Sequence, residues 1–166
     1  MSALKIVVTG PVCAGKTTFI RSISEDSPVS TEEALPDFSD KSETTVALDY
    51  GGTTVAGQSI KLFGTPGQER FAYMRDILSE GADGIILLVP SDGDDVLEKT
   101  MTIVTRLLST PLPPFAVGIT RTDLTTRDLR EPIREALGAR ARHIECVDAR
   151  DPGQCRQLLA SLVTHT

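Results

Sequence analysis

Short apolar runs alternate along the chain with stretches of helical periodicity. Strand-like runs are predicted at residues 4–8, 85–89, 115–119 and 144–147. Helical patterns between these strands are predicted near residues 94–109 and 126–137. Alternation of this kind is typical of βαβ units, in which parallel strands are buried on both faces. The pattern therefore predicts an α/β fold whose ligands bind at the carboxyl ends of the strands.

Two further extended segments, residues 45–55 and 59–63, are joined by glycine-containing turn chemistry and predict an antiparallel hairpin. Residues 25–42, which precede this hairpin, are polar, contain proline and show no periodicity. A stretch of that length without secondary structure is usually a functional loop in a compact domain. Together the segments predict three layers around a six-stranded, mostly parallel sheet with one antiparallel edge strand.

The chain shows no internal repeat, linker or change of composition, so a single domain over residues 1–166 is predicted. That length buries a substantial core without disulfides or metals. The last helical pattern, residues 152–163, follows Asp151 and begins with Pro152. An aspartate at the N-cap followed by proline at the first helical position is a strong start signal for a helix.

Charge and cysteine content narrow the classes of function. The net charge is −6 and the sequence has no Lys/Arg run, so a nucleic-acid partner is not expected. Cys13, Cys146 and Cys155 have no metal-type spacing, which favours reduced thiols and a cytoplasmic location. No apolar run approaches the ~20 residues of a membrane span. Neither end carries a lipidation motif, so no direct membrane anchor is expected.

A phosphate-binding loop is the most specific motif in the chain. Residues 10–17 read Gly-Pro-Val-Cys-Ala-Gly-Lys-Thr and fit G-x-x-x-x-G-K-[ST] completely, between a predicted strand and a predicted helix. The glycines allow close approach to phosphates, and backbone N–H groups at the helix start face the anion. The predicted nucleotide-binding residues are Gly10, Val12, Cys13, Ala14, Gly15, Lys16, Thr17 and Thr18. The loop predicts a P-loop NTPase fold and a nucleoside triphosphate, whose base it leaves open.

Residues 63–71, Phe-Gly-Thr-Pro-Gly-Gln-Glu-Arg-Phe, follow the third predicted strand. This segment resembles the second switch of Ras-like GTPases, where Asp-x-x-Gly-Gln is usual. The resemblance implies that the Gly67 backbone N–H donates to the γ-phosphate and that Gln68 orients the attacking water. Gln68 and Lys16, which reaches the β- and γ-phosphates, are therefore the predicted catalytic residues.

Residues 120–123, Thr-Arg-Thr-Asp, resemble the Asn-Lys-x-Asp base-reading motif of the same family in a degraded form. A carboxylate at Asp123 accepts hydrogen bonds from guanine N1–H and the 2-amino group, two donors that adenine lacks. Arg121 is expected over the base, and the Ala149 N–H is expected at guanine O6. An ordinary loop aspartate that caps a helix is the alternative for Asp123. GTP and GDP are the expected ligands.

The metal site departs from the family pattern, in which Mg²⁺ is the expected ion. The resemblance places a metal-binding threonine at Thr45, with Thr44 as the neighbouring alternative. Gly64 stands where the family has the aspartate that holds Mg²⁺ through water. Asp49 is the candidate replacement, because strand alternation places it on the same face as Thr45; a solvated strand aspartate is the alternative. The predicted metal residues are Thr17, Thr45 and Asp49.

The ordered motifs span nearly the whole chain, which is similar to Ras-like small GTPases. Its Gly-Thr-Pro-Gly-Gln segment resembles a prokaryotic branch that includes MglA-type polarity GTPases and conservon-associated GTPases. The resemblance implies a molecular switch that hydrolyses GTP to GDP and phosphate, with loops at residues 25–45 and 64–77 that change with the nucleotide. A roadblock-domain protein is the expected regulator, and the effector stays open. Val12 replaces a small glycine of Ras and crowds Gln68, so slow intrinsic hydrolysis is predicted.

Two other interpretations stay open. A nucleotide-binding scaffold with little hydrolysis fits Val12, Gly64 and the weakened base motif. A small-molecule kinase needs a lid that carries arginines, and residues 25–45 contain none. The source of a catalytic arginine is also open, because only Arg70, Arg75 or an arginine from a partner protein is available near the switches.

Overall fold

A computed structural model describes residues 2–25, 29–35, 44–66, 79–93, 95–107 and 113–164, with the backbone alone described at 29–35, 44–48 and 107. The strands in these ranges are β1 (Leu4–Thr9), β2 (Val29–Leu35), β3 (Thr44–Val55), β4 (Gln58–Gly64), β5 (Gly84–Pro90), β6 (Phe115–Thr120) and β7 (Ala141–Cys146). The α-helices in these ranges are α1 (Lys16–Ile23), α2 (Val96–Leu107), α3 (Arg130–Leu137) and α4 (Pro152–Val163).

The strands form one sheet in the order β2-β3-β4-β1-β5-β6-β7. Strands β4, β1, β5, β6 and β7 run parallel, and β3 pairs antiparallel with β4. The predicted three-layer α/β fold with a mostly parallel sheet and an antiparallel strand is confirmed. Because β1, β4, β5, β6 and β7 run parallel, their carboxyl ends lie at one edge of the sheet, where P-loop folds bind ligands.

Strand β2 adds a seventh strand beyond β3, within the segment predicted to be a loop. Its register runs from Val29 opposite Tyr50 to Leu35 opposite Thr44. Strand β4 pairs only with the second half of β3, from Asp49 onward. The backbone groups in the first half of β3 therefore need another partner, and the β2 backbone supplies it. A polar segment without periodicity gave no signal for this pairing.

Two apolar layers hold the helices against the sheet. On one face Ile6 and Val8 of β1 pack in a cluster with Phe19 of α1 and Leu158 of α4. On the other face Val7 belongs to a second cluster with side chains of α2 and α3. Because successive residues of β1 face opposite clusters, the run from Ile6 to Val8 is apolar throughout, as expected of a strand covered on both sides.

The boundaries of two elements differ from those predicted. Helix α3 begins at Arg130, whereas the pattern extended back to residue 126. The Thr125 hydroxyl accepts the Arg127 N–H, and the Asp128 carboxylate accepts the Arg130 N–H. Such local side-chain contacts compete with helical hydrogen bonds and delay the helix start. Strand β7 begins at Ala141, before the predicted start at residue 144, in a segment that is half-exposed or exposed and gives no apolar run. Among the described helices, none is long and apolar enough to cross a membrane.

Candidate functional site

The phosphate loop joins the end of β1 to the start of α1. Gly10 lies so close to β5 that a Cβ on it would stand 2.4 Å from the Leu88 carbonyl oxygen, so only glycine fits. Gly15 takes a left-handed conformation with φ of 99° immediately before α1. Because Gly15 has no side chain to cap the helix, the first backbone N–H groups of α1 are presented to the loop.

Lys16 lies folded across the loop that precedes it. Its half-buried ammonium donates hydrogen bonds to the carbonyl oxygens of Gly10 at 2.8 Å and Pro11 at 2.7 Å. These contacts hold a positive charge at the concave side of the loop, beside the helix N-terminus. The arrangement concentrates positive potential where an anion such as a phosphate can bind.

A cavity of about 260 Å³ opens beside the phosphate loop. Its volume is close to the lower end of the roughly 300–1,000 Å³ typical of small-molecule pockets. The lining comes from three separate parts of the chain, which are Cys13, Ala14, Gly15 and Thr18, residues 120–124, and residues 147–150. Part of the predicted phosphate set therefore shares one cavity with the predicted base residues Arg121, Asp123 and Ala149. The predicted phosphate residues that do not line this cavity are Gly10, Val12, Lys16 and Thr17.

Thr120 connects the base-reading segment to the phosphate loop. It is buried, and its hydroxyl donates a 2.6 Å hydrogen bond to the Ala14 carbonyl oxygen. Its own carbonyl oxygen accepts hydrogen bonds from the backbone N–H and the hydroxyl of Ser91. Thr120 replaces the asparagine of the family motif, and a hydroxyl is enough to make this cross-link.

Arg121 projects from a left-handed backbone position at the cavity wall. Its φ is 60°, and its Nε donates to Asp92 Oδ1 at 2.7 Å. This hydrogen bond raises the pKa of the Arg121 guanidinium and lowers the pKa of the Asp92 carboxyl. Asp92, which was not among the predicted site residues, thus holds the arginine that was predicted to lie over the base.

Asp123 lies on the same wall, in a short 3₁₀ turn formed by Thr122–Leu124. Its Oδ2 is 3.5 Å from Nη2 of Arg150. Arg150 also makes a two-pronged contact with Asp148, with its Nε 2.9 Å from Oδ1 and its Nη2 3.0 Å from Oδ2. That contact lowers the pKa of Asp148 and raises the pKa of Arg150.

Ala149 is buried between the cavity and the start of α4. Its Cβ lies 3.2 Å from the position that a Cβ on Gly15 would take. Beneath it the buried Cys155 thiol lies 3.5 Å from the carbonyl oxygens of both Asp148 and Ala149. Burial raises the pKa of Cys155. A thiol at the base of this loop was not predicted to take part in the site.

Asp49 and Gly64 face each other across β3 and β4. A Cβ on Gly64 would lie 3.0 Å from the Asp49 Cβ and 2.9 Å from the Ile20 Cδ1, so the Asp49 side chain fills the space of a side chain at position 64. The Thr17 hydroxyl donates a short hydrogen bond to Asp49 Oδ2. The structure therefore brings together two of the three predicted metal residues.

Thr45 is described by its backbone, which pairs with Ala34 of β2. It precedes Asp49 by four residues along β3, which corresponds to roughly 13 Å of extended strand. The structure does not bring this backbone to the Thr17–Asp49 contact. Gly67 and Gln68 lie outside the described residues. Val12 lies in the phosphate loop with 54% of its surface exposed.

The segment after Gly64 is bonded to the end of β1, immediately before the phosphate loop, by contacts that the sequence did not suggest. The Thr65 hydroxyl donates to the Thr9 hydroxyl at 2.9 Å, and both residues are buried. The Thr65 N–H also donates to the Val8 carbonyl oxygen. These contacts fix the start of the predicted second switch to the strand that leads into Gly10.

Comparison with known protein families matches the sequence of this chain to a GTPase family. A family model described as 50S ribosome-binding GTPase matches residues 5–121. The uncharacterized protein MJ1339 of Methanocaldococcus jannaschii is 30% identical over 128 residues, which cover 77% of this chain and 76% of that protein.

Solved structures of the cytosolic domain of the T. maritima FeoB iron transporter share the fold. The GDP form I matches with a TM-score of 0.73 at 19% identity, covering 99% of this chain and 64% of that chain. The GMPPNP form matches with a TM-score of 0.70 at 18% identity, covering 97% of this chain and 63% of that chain. This chain thus spans slightly less than two thirds of the FeoB chains.

Proposed function

The chain belongs to the P-loop GTPases, in the family described as 50S ribosome-binding GTPase, and from this premise we propose that it is a guanine-nucleotide switch with slow intrinsic hydrolysis. Membership of the family supports GTP and GDP as ligands and GTP hydrolysis as the general activity. The switch behaviour and the low rate are the parts proposed here.

One observation carries the proposal: a single cavity joins the phosphate loop to Asp123 and Ala149. In the proposed complex the backbone amides of the loop and the Lys16 ammonium hold the phosphates. The Asp123 carboxylate accepts from N1–H and the 2-amino group of guanine, and the Ala149 N–H donates to O6. The Thr120 link to Ala14 keeps these two halves at a fixed separation.

Mg²⁺ fits the donor set beside the loop. The Thr17 hydroxyl and the Asp49 carboxylate are in direct contact, and both supply the oxygen ligands that Mg²⁺ prefers. We assign these two residues to the metal, with Asp49 in the role that Gly64 cannot fill. When bound, the ion would neutralise part of the phosphate charge.

Switching is proposed for residues 25–45 and 64–77. In the first of these segments β2 pairs with β3, and the backbone of Thr45 lies in that pair. Movement of Thr45 toward the metal requires this part of the pairing to rearrange, so a change at the phosphates alters a surface at the sheet edge. The Thr9–Thr65 hydrogen bond gives the second segment a fixed start next to the loop.

The proposed slow hydrolysis of GTP rests on Val12 in the phosphate loop and on its effect on Gln68 of the second switch. Val12 adds an exposed branched side chain at the position of a small glycine in Ras-like relatives. In the proposed active state this side chain would leave less room for Gln68 and for an arginine from a partner. A roadblock-domain regulator and membership of the MglA-like branch remain proposals from the resemblance, and a cytoplasmic location remains a proposal from the cysteine pattern. A nucleotide-binding scaffold is the competing function, because the same Val12 is compatible with no turnover.

The proposal is tested by titrating the purified chain with GDP, GTP and ATP, with and without Mg²⁺. We expect guanine nucleotides to bind at least about tenfold more tightly than ATP, since adenine leaves Asp123 unpaired. Lys16→Ala should lower the affinity, and Lys61→Ala, an exposed lysine of β4, should not. A chain that binds no guanine nucleotide, with Lys16→Ala unchanged from wild type, would contradict the proposal.

Single-turnover GTP hydrolysis separates the switch from the scaffold. We expect a slow but measurable rate that Gln68→Leu reduces further and that Val12→Gly increases. A rate for the wild type equal to that of Gln68→Leu would favour the scaffold, in which binding alone carries the function. A wild-type rate that Val12→Gly leaves unchanged would contradict the explanation for slow hydrolysis.

A further inference from the structure

We propose that Arg150, held by Asp148, is a specificity-determining residue that orients the Asp123 carboxylate toward the 2-amino edge of guanine. The inference rests on the proposed function and adds two residues to its base-reading site. Neither residue was assigned a role from the sequence. Both line the same cavity as Asp123.

The first step is the rigidity of the Arg150 guanidinium. Asp148 engages it with both carboxylate oxygens, at 2.9 Å and 3.0 Å, and also accepts the Arg150 backbone N–H at 2.9 Å. A planar guanidinium in a two-pronged contact with a carboxylate has little freedom to rotate. Arg150 is therefore presented to the cavity in one orientation.

The second step is the anchor beneath Asp148. Its backbone N–H donates to Gln154 Oε1 at 2.9 Å, and Gln154 Nε2 donates to Asp151 Oδ2 at 3.1 Å. Asp151 in turn caps the first turn of α4 by accepting from the Gly153 and Gln154 N–H groups. The support of Arg150 thus continues into a helix that is packed in the core.

The third step is the contact with Asp123. Nη2 of Arg150 lies 3.5 Å from Asp123 Oδ2 while it stays 3.0 Å from Asp148 Oδ2. A carboxylate has about four acceptor sites, and a guanine edge uses one on each oxygen. Arg150 can therefore keep a remaining site on Oδ2 while the base binds, and its charge offsets the repulsion between the two carboxylates.

Orientation of Asp123 by Arg150 should therefore affect recognition of the guanine 2-amino group most. Correct orientation of Asp123 matters most when two parallel hydrogen bonds must form at once, as with guanine N1–H and its 2-amino group. Hypoxanthine keeps N1–H and lacks the 2-amino group, and adenine lacks both donors. Arg150 and Asp123 are more than half exposed, with side-chain accessibilities of 70% and 59%, so their ion pair adds little to folding stability.

The test compares GDP, IDP and ADP affinities of the full chain for wild type, Arg150→Ala, Arg150→Lys and Asp148→Asn. We expect Arg150→Ala to weaken GDP binding about five- to tenfold, which lies within the range of one hydrogen bond of ordinary strength, with IDP changed less than about twofold. Arg150→Lys keeps the charge but loses the planar guanidinium, so its GDP affinity should lie between those of wild type and Arg150→Ala. Asp148→Asn should lower the preference for GDP over IDP, as Arg150→Ala does.

Arg130→Ala is the matched control. Arg130 makes the same contacts with Asp128 that Arg150 makes with Asp148, with Nε 3.1 Å from Oδ1, Nη2 2.9 Å from Oδ2, and its N–H 3.0 Å from Oδ1. It does not line the cavity. Its removal should leave all three affinities at their wild-type values.

Two results would overturn the proposal while the proposed function stands: equal losses for GDP and IDP in Arg150→Ala, or tighter GDP binding. The first makes Arg150 a general packing contact, and the second makes it a competitor for Asp123. A wild type without preference for GDP over ADP would overturn both proposals at once. Should Arg150→Ala fail to fold, Arg150→Lys and Asp148→Asn decide the matter by the same ratio of GDP to IDP affinity.

Discussion

At the scale of single residues, Asp49 and Gly64 are facing positions on neighbouring strands, and the carboxylate that the family pattern has at position 64 is found here at position 49. A carboxylate on β3 and a glycine on β4 occupy one cross-strand position, and the space admits only one side chain. Gly64→Asp alone should therefore be destabilising by about 1–3 kcal/mol through overpacking against Ile20 and Asp49. The free energy of unfolding in urea measures this effect.

The double variant Asp49→Gly/Gly64→Asp tests whether the carboxylate can move between strands. We expect it to recover most of the stability lost in Gly64→Asp, because the crowding partner is gone. We also expect it to restore Mg²⁺-dependent tightening of GDP binding, which Asp49→Gly alone should lose. Equal Mg²⁺ dependence in wild type and Asp49→Gly would refute the assignment of Asp49 to the metal.

Site residues could be predicted from the sequence where their neighbours in space are also set by the local sequence pattern. Lys16 and Thr17 belong to a contiguous pattern whose spacing implies its own geometry. Asp49 was selected by strand alternation, and its contact with Thr17 agrees with that logic. Asp92 and Arg150 were not selected, because Asp92 meets Arg121, and Arg150 meets Asp123, only when the ends of β5, β6 and β7 come together. No periodicity in one segment reports a contact of that kind.

At the scale of elements, the start of α4 was predicted from two residues and confirmed. Asp151 accepts hydrogen bonds from the Gly153 and Gln154 N–H groups, and Pro152 opens the helix. Strand β2 was missed for the opposite reason: its partner is the edge of β3, and its own residues have no apolar alternation. Caps depend on local chemistry and can be inferred from sequence, whereas edge pairing depends on what the neighbouring strand leaves unsatisfied.

The cap of α4 supports a prediction at this scale. Asp151→Ala should lower the free energy of unfolding by about 1 kcal/mol, because two first-turn N–H groups lose their acceptor. Asp151→Asn or Asp151→Ser should recover much of the loss. Urea unfolding monitored by circular dichroism measures the difference. An unchanged midpoint in Asp151→Ala would show that solvent replaces the cap without cost.

At the scale of the whole molecule, the cavity draws its lining from three regions that are distant in sequence. A ligand that contacts all three binds the folded chain and has no site on the unfolded one. Binding therefore stabilises the entire domain by mass action, by about 2.7 kcal/mol when the free ligand is at 100 times its dissociation constant. The phosphate loop and the base loops then unfold together, since Thr120 already connects them through Ala14.

The midpoint of thermal unfolding measures this stabilisation by the ligand. For a chain of this size about 1 kcal/mol raises the midpoint by roughly 2–4 °C, so saturating GDP should raise it by roughly 5–10 °C. ADP at the same concentration should give a much smaller shift, because Asp123 is left without donors. Lys16→Ala should keep the midpoint of the free chain near wild type and lose most of the GDP shift. Equal shifts with GDP and ADP would mean that the phosphates alone are bound and that the cavity between residues 120–124 and 147–150 does not select the base.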